Sequence, residues 1–143
     1  MMAANRLLVA AGLLDIAAAL LHIGCILGGP AWYRFFGAGE RMARMAEAGA
    51  LTPTLVTLGI AAVLSGWAAY CFAGAGVLPR LPLMRAALVA IAGVYLVRAA
   101  ALPWMLRSMH ERDPGFLVWS SAVVLVLGLI HALGAAKAWS SLG

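Results

Sequence analysis

The stretch LLDIAAALLHIGC, residues 13–25, decides the class of fold. It lies inside an apolar run from Leu7 to Gly29, long enough to cross a bilayer as a helix, which takes about 20 residues. The same stretch carries two ionisable side chains, Asp15 and His22, seven positions apart. At about 100° per residue, seven positions return a side chain to within about 20° of its starting direction, so Asp15 and His22 share one helical face. A charged group at mid-bilayer costs about 2.5–3.5 kcal/mol on insertion scales. That face is therefore expected to turn toward other helices and away from lipid.

Three further runs have the same character: residues 53–73, 83–106 and 116–138. The whole chain of 143 residues is 65% hydrophobic and 10% charged, with a mean hydropathy of +1.00. A soluble domain carries about 25% charged residues, so there is too little polar surface here to cover a water-soluble globule. In hydrocarbon every backbone N–H and C=O must be bonded within its own segment, which makes each run a helix. The sequence thus predicts an all-α fold, an integral membrane four-helix bundle formed by one domain over residues 1–143. The first run has a weakly charged start, an aspartate in its core and a poor lipobox in LHIGC, and is expected to be a retained helix and not a cleaved signal.

The boundaries have their own chemistry. Thr52-Pro53 and Asp113-Pro114 each offer an N-cap side chain followed by a proline at the first helical position. Gly74 and Gly76 close the second run, Pro79 and Pro82 frame the entry to the third, and Pro103 is expected to kink or end it. The longest connection, PAWYRFFGAGERMARMAEAGAL, residues 30–51, begins with an aromatic cluster of the kind that settles at a membrane interface. Residues 38–48 then alternate Met42 and Met45 with Glu40, Arg41, Arg44 and Glu47, which predicts a short amphipathic helix on the membrane surface or over the bundle end.

The net charge of +5 comes from basic residues scattered between apolar runs, nine of the ten being arginine. No basic stripe or nucleic-acid motif is present, so nucleic acid is not an expected partner, and the arginines read as headgroup and topology anchors. Arg6, Arg80, Arg85 and Lys137 fall at one end of the runs, and Arg34, Arg41, Arg44, Arg107 and Arg112 at the other. Glu40, Glu47, Glu111 and Asp113 accompany the second group. We read both termini as cytoplasmic.

Depth sorts the buried polar groups. From the midpoint of each run, at about 1.5 Å per residue, Asp15 lies about 5 Å toward the amino-terminal side and His22 about 6 Å toward the first connection. With alternating helix directions, His131 falls near the depth of Asp15, and Arg98 near that of His22, with Tyr95 one turn away on the same face. Two layers are expected: Asp15 with His131, and His22 with Arg98 and Tyr95, the latter approached by Glu40 from the first connection. The first layer reads equally as an interhelical clamp, of the kind worth about 0.6 kcal/mol in membrane proteins.

Other chemistries fit less well. Ser120 and His131 share a face but stand about 16 Å apart along it, too far for a nucleophile and its base. His22 and His131 differ by about 12 Å in depth, which argues against a shared haem. Two cysteines and three histidines lie on separate segments without CxxC or HxxxH spacing, so neither a metal nor another cofactor is expected. Cys25 and Cys71 fall on opposite sides, too far apart for a disulfide. Gly24 and Gly28 form a GxxxG pair, and Ala62 with Gly66 and Gly128 with Ala132 are small-residue pairs, read first as packing within the chain and second as a route to a homo-oligomer.

WYRFFGAGERMARMAEAG, residues 32–49, and LPLMRAALVAIAGVYLVRAAALP, residues 81–103, resemble small four-helix membrane proteins of bacteria, and the overall plan is similar to that of DoxX-like proteins. The resemblance covers the architecture of most of the chain. It implies a multi-pass location in the inner membrane and carries over no catalytic residue. On residues and resemblance together, the expected role is a non-enzymatic membrane protein that surrounds a lipid-like or anionic small ligand with His22, Glu40, Tyr95 and Arg98, above a deeper Asp15–His131 layer. Membrane lipids are its expected partners. Two alternatives stay open: a membrane enzyme using acid–base chemistry on a lipid or quinone-like substrate, and a proton-coupled transporter or transporter subunit.

Overall fold

The computed structural model describes residues 5–110 and 112–142. Glu111, counted above among the acidic residues of the third connection, lies outside the described residues. The described residues are all-helical: α1 (Arg6–Phe35), α2 (Glu40–Glu47), α3 (Thr52–Gly74), α4 (Met84–Ala100), α5 (Leu102–Ser108) and α6 (Pro114–Ala138), followed by a short 3₁₀ turn, Trp139–Ser141. Three of these helices, α1, α3 and α6, are long and apolar enough to cross a membrane, and α4 with α5 makes a fourth if the bent pair is one span.

The breaks follow from glycine and proline. The backbone of α1 leaves helical geometry at Gly29, with φ 66° and ψ −150°, immediately before Pro30. That conformation is open to glycine, and the following proline both lacks an N–H and disfavours the α-region at the residue before it. The segment from Pro30 to Phe35 is nonetheless helical. It occupies the start of what the sequence presents as a connection. Between α4 and α5 the axis bends by 49°, with Pro103 in the first turn of α5. At α6 the Asp113 carboxylate accepts from the Phe116 N–H at 2.6 Å, ahead of Pro114 at the first helical position. The start of α3 departs from expectation by one residue: Leu51 is the N-cap, Thr52 is already helical, and no side chain caps the end. The Thr57 hydroxyl, one turn in, donates instead to the Pro53 carbonyl at 2.7 Å.

Many small residues pack inside, beside Leu8, Leu88, Ile91 and Leu117, and many large apolar ones face outward. α1 lies chiefly on α3 and α4 on α6, and the two pairs meet along α1–α6 and α3–α4. Ala11, Ala19, Ala61, Ala68, Cys71, Ala92 and Ala135 are buried, whereas Leu20, Leu27 and Val97 are 66%, 84% and 70% exposed. So many large apolar side chains on the outside suit a hydrocarbon surround. At Gly128 a Cβ would stand 2.8 Å from Leu96 Cδ2 and 3.2 Å from the Leu96 backbone nitrogen, so only glycine lets α6 approach α4 this closely. The Gly24–Gly28 pair is covered by the Trp32 indole of the same chain, which leaves no room for a Cβ on Gly28. That face is thus used within the chain.

Candidate functional site

Four helices each deliver one polar side chain to a single point in the interior. α1 supplies Asp15, α3 Cys71, α4 Tyr95 and α6 His131, and all four residues are buried, Asp15, Cys71 and His131 completely. His131 Nε2 lies 3.0 Å from Asp15 Oδ2. The Tyr95 hydroxyl donates to Asp15 Oδ1 at 2.5 Å, and the Cys71 thiol faces Oδ2 at 3.9 Å. The other imidazole nitrogen, Nδ1, donates to the Leu127 carbonyl at 2.7 Å, one turn back along α6. That bond fixes the ring so that Nε2 points inward. The Tyr95 ring is itself held, edge-on to Trp67 with centroids 5.2 Å apart and against His131 at 4.9 Å.

The structure therefore brings Asp15 and His131 together and adds two groups to them. Tyr95 belongs here and not beside His22 and Arg98. Helical side chains lean toward the amino terminus of their own helix. Tyr95 consequently reaches back from α4 toward the Asp15 level. Cys71 enters the sequence reading only as a cysteine too far from Cys25 for a disulfide. Its depth was the available signal, since it lies in the same half of the span as Asp15 and His131.

The second expected layer is not assembled. Arg98, half-buried, donates from Nη1 to Ser121 Oγ at 2.9 Å and from Nη2 to Ser120 Oγ at 3.4 Å. It reaches neither Asp15 nor Glu40, because the two serines of α6 lie directly across from it. His22, also half-buried, is bonded through Nδ1 to the Ala18 carbonyl at 2.7 Å, and among the described residues it has no hydrogen bond to Arg98. Glu40 pairs with Arg34: Nε and Nη2 of Arg34 donate to its two carboxylate oxygens at 2.9 and 2.8 Å, while Nη1 takes Glu47 at 2.7 Å. Arg44 stands 3.6 Å from Glu40 on the same helix. The hydrogen bonds from Arg34 are the main cause that holds the Glu40 carboxyl below its ordinary range.

Beside this ion-pair cluster lies a cleft of about 440 Å³ between the first connection and the start of α6. Its lining includes Arg34, Glu40, Arg112, Phe35, Phe116 and Trp119. Of the four residues expected to line a ligand pocket, Glu40 alone borders it. Among the described residues, Arg112 donates to the Ala38 carbonyl at 3.4 Å and to no carboxylate. The cleft thus sets a cation beside an aromatic wall at the end of the apolar helices. Both cysteines are free and buried, with Cys25 packed near Tyr33 and Ala43 and away from Cys71.

In comparisons with known proteins, no family model, no curated protein and no solved structure matches the chain.

Proposed function

We propose that the chain is a four-helix bundle of the bacterial inner membrane, DoxX-like in plan, with both termini cytoplasmic, and that it binds an anionic amphiphile, a lipid or a lipid-like molecule, without transforming it. The observation that carries this reading is the cleft between the first connection and α6. Arg112 supplies a guanidinium for a phosphate or carboxylate head, a match of fork to oxyanion that arginine makes better than lysine. Phe35, Phe116 and Trp119 supply apolar faces at the level where headgroups give way to acyl chains. Arg34 is engaged by Glu40 and Glu47, and this fork ties α2 to the end of α1 and shapes the rim. The ligand enters sideways from the membrane, so the buried quartet need not open.

Native mass spectrometry of protein released from a mild detergent tests this. The expected result is a retained anionic phospholipid on the unaltered protein and a several-fold loss of that adduct in Arg112→Glu. A bare protein, or an adduct equally abundant in both, overturns it.

A further inference from the structure

We propose that Asp15, Cys71 and His131 form a binding site for a tetrahedral divalent transition-metal ion of the zinc class, held between α1, α3 and α6. This site shares no residue with the cleft and does not depend on it. One carboxylate oxygen, one sulfur and one imidazole nitrogen, each from a different helix and each buried, lie within 4.8 Å of one another. This mixed O, S and N donor set is one that zinc accepts, whereas magnesium and calcium prefer oxygen alone.

The spacing fits. With bonds of about 2.0–2.3 Å, a tetrahedral ion separates its nitrogen and oxygen ligands by about 3.3 Å, and its sulfur and oxygen ligands by about 3.6 Å. The observed separations are 3.0 Å from Nε2 to Oδ2 and 3.9 Å from Sγ to Oδ2. Shifts of a few tenths of an ångström close both.

The surroundings are those of a ligand set. Metal-bound histidines donate their second ring N–H to a carbonyl or carboxylate, and bound carboxylates are themselves hydrogen-bonded. Here Nδ1 of His131 is already committed to the Leu127 carbonyl, and the Tyr95 hydroxyl already holds Asp15 Oδ1. Both arrangements leave the remaining lone pairs, on Nε2 and Oδ2, facing each other. Two facing lone pairs require a proton or a cation between them. A proton satisfies that pair only, and leaves Cys71 with a distant sulfur contact. A divalent ion engages all three groups.

Charge points the same way. A thiolate, a carboxylate, a neutral imidazole and a divalent cation sum to zero, the condition that an apolar interior tolerates. The protein supplies three ligands, which leaves one coordination position for an exogenous group.

The test uses the full chain in detergent, purified without a metal-affinity tag. Elemental analysis is expected to find about one zinc-class ion per chain. After chelation, added cobalt(II) is expected to give the near-ultraviolet thiolate-to-cobalt band, which zinc then bleaches. Cys71→Ser loses the band and Cys25→Ser keeps it. Tyr95→Phe, which removes only the outer hydrogen bond, weakens cobalt affinity by about 10- to 100-fold. Should Cys71→Ser not fold, the cobalt band and its bleaching by zinc in Cys25→Ser, where Cys71 is the one remaining cysteine, still decide the matter. No metal and no band, or a band lost in Cys25→Ser and kept in Cys71→Ser, overturns the proposal. None of these readouts involves lipid, so the lipid-binding reading stands or falls separately.

Discussion

Two polar clusters in this molecule use the same kinds of side chain in opposite surroundings. Asp15 and His131 meet with side chains 0% exposed, while Arg34, Glu40 and Glu47 meet with side chains 40–49% exposed. At the rim, water screens the charges and the arginine fork pays little to desolvate, so the cluster orients α2 and adds little to stability. In the interior, each donor and acceptor depends on its one partner, and losing that partner exposes the others to an apolar medium. Geometry alone makes the Arg34 pairs look stronger than the His131–Asp15 pair, because they are bidentate and lie at 2.7–2.9 Å against 3.0 Å. Burial reverses the ranking.

Substitutions can break that comparison, beginning with the largest effect. In detergent with a chelator, Asp15→Ala is expected to lose about 3 kcal/mol of stability, because it orphans both the Tyr95 hydroxyl and His131 Nε2. Asp15→Asn, whose amide can still meet both, recovers most of that. Equal losses in the two variants, measured by denaturant titration, would show that packing and not polarity governs the site. Next, Tyr95→Phe deletes one hydrogen bond and keeps the ring against Trp67, and is expected to cost about 1 kcal/mol in the same titration.

The smallest effect belongs to Arg34→Ala, near the limit of detection in melting temperature at neutral pH and erased by molar salt. Its pH dependence has a definite sign. Arg34 depresses the Glu40 carboxyl in the folded protein, so the contribution is present above the ordinary carboxylate range and is lost as pH falls through the lowered value. The melting difference between the unaltered chain and Arg34→Ala therefore shrinks on acidification. A difference that grows, or that survives salt, would mean the rim is buried against something in the membrane.

The expected runs and the observed helices agree closely because apolar length, glycine and proline act locally. Gly29-Pro30 breaks α1, and Pro103 accompanies the bend after Ala101. Asp113 caps α6 as its position implies, whereas Thr52 is drawn into α3 and leaves the capping position to Leu51. Depth arithmetic also brings Asp15 and His131 to one level, since it needs only the helical rise and alternating directions. It places Tyr95 at the level of its backbone, where the reach of a phenol ring along the helix carries the hydroxyl elsewhere. It cannot foresee that Ser120 and Ser121 face Arg98, because that depends on how far α6 is rotated against α4.

Composition and periodicity determined by themselves that this chain is helical, apolar enough to enter a membrane, and burdened with ionisable groups that must find partners inside. These are properties of single segments, set by backbone hydrogen bonding and the cost of charge in hydrocarbon. Which partners those groups find was decided only by the tertiary structure. The close approach at Gly128, the lean of Tyr95 and the rotation of α3 that turns Cys71 inward depend on side chains of several helices packing at once.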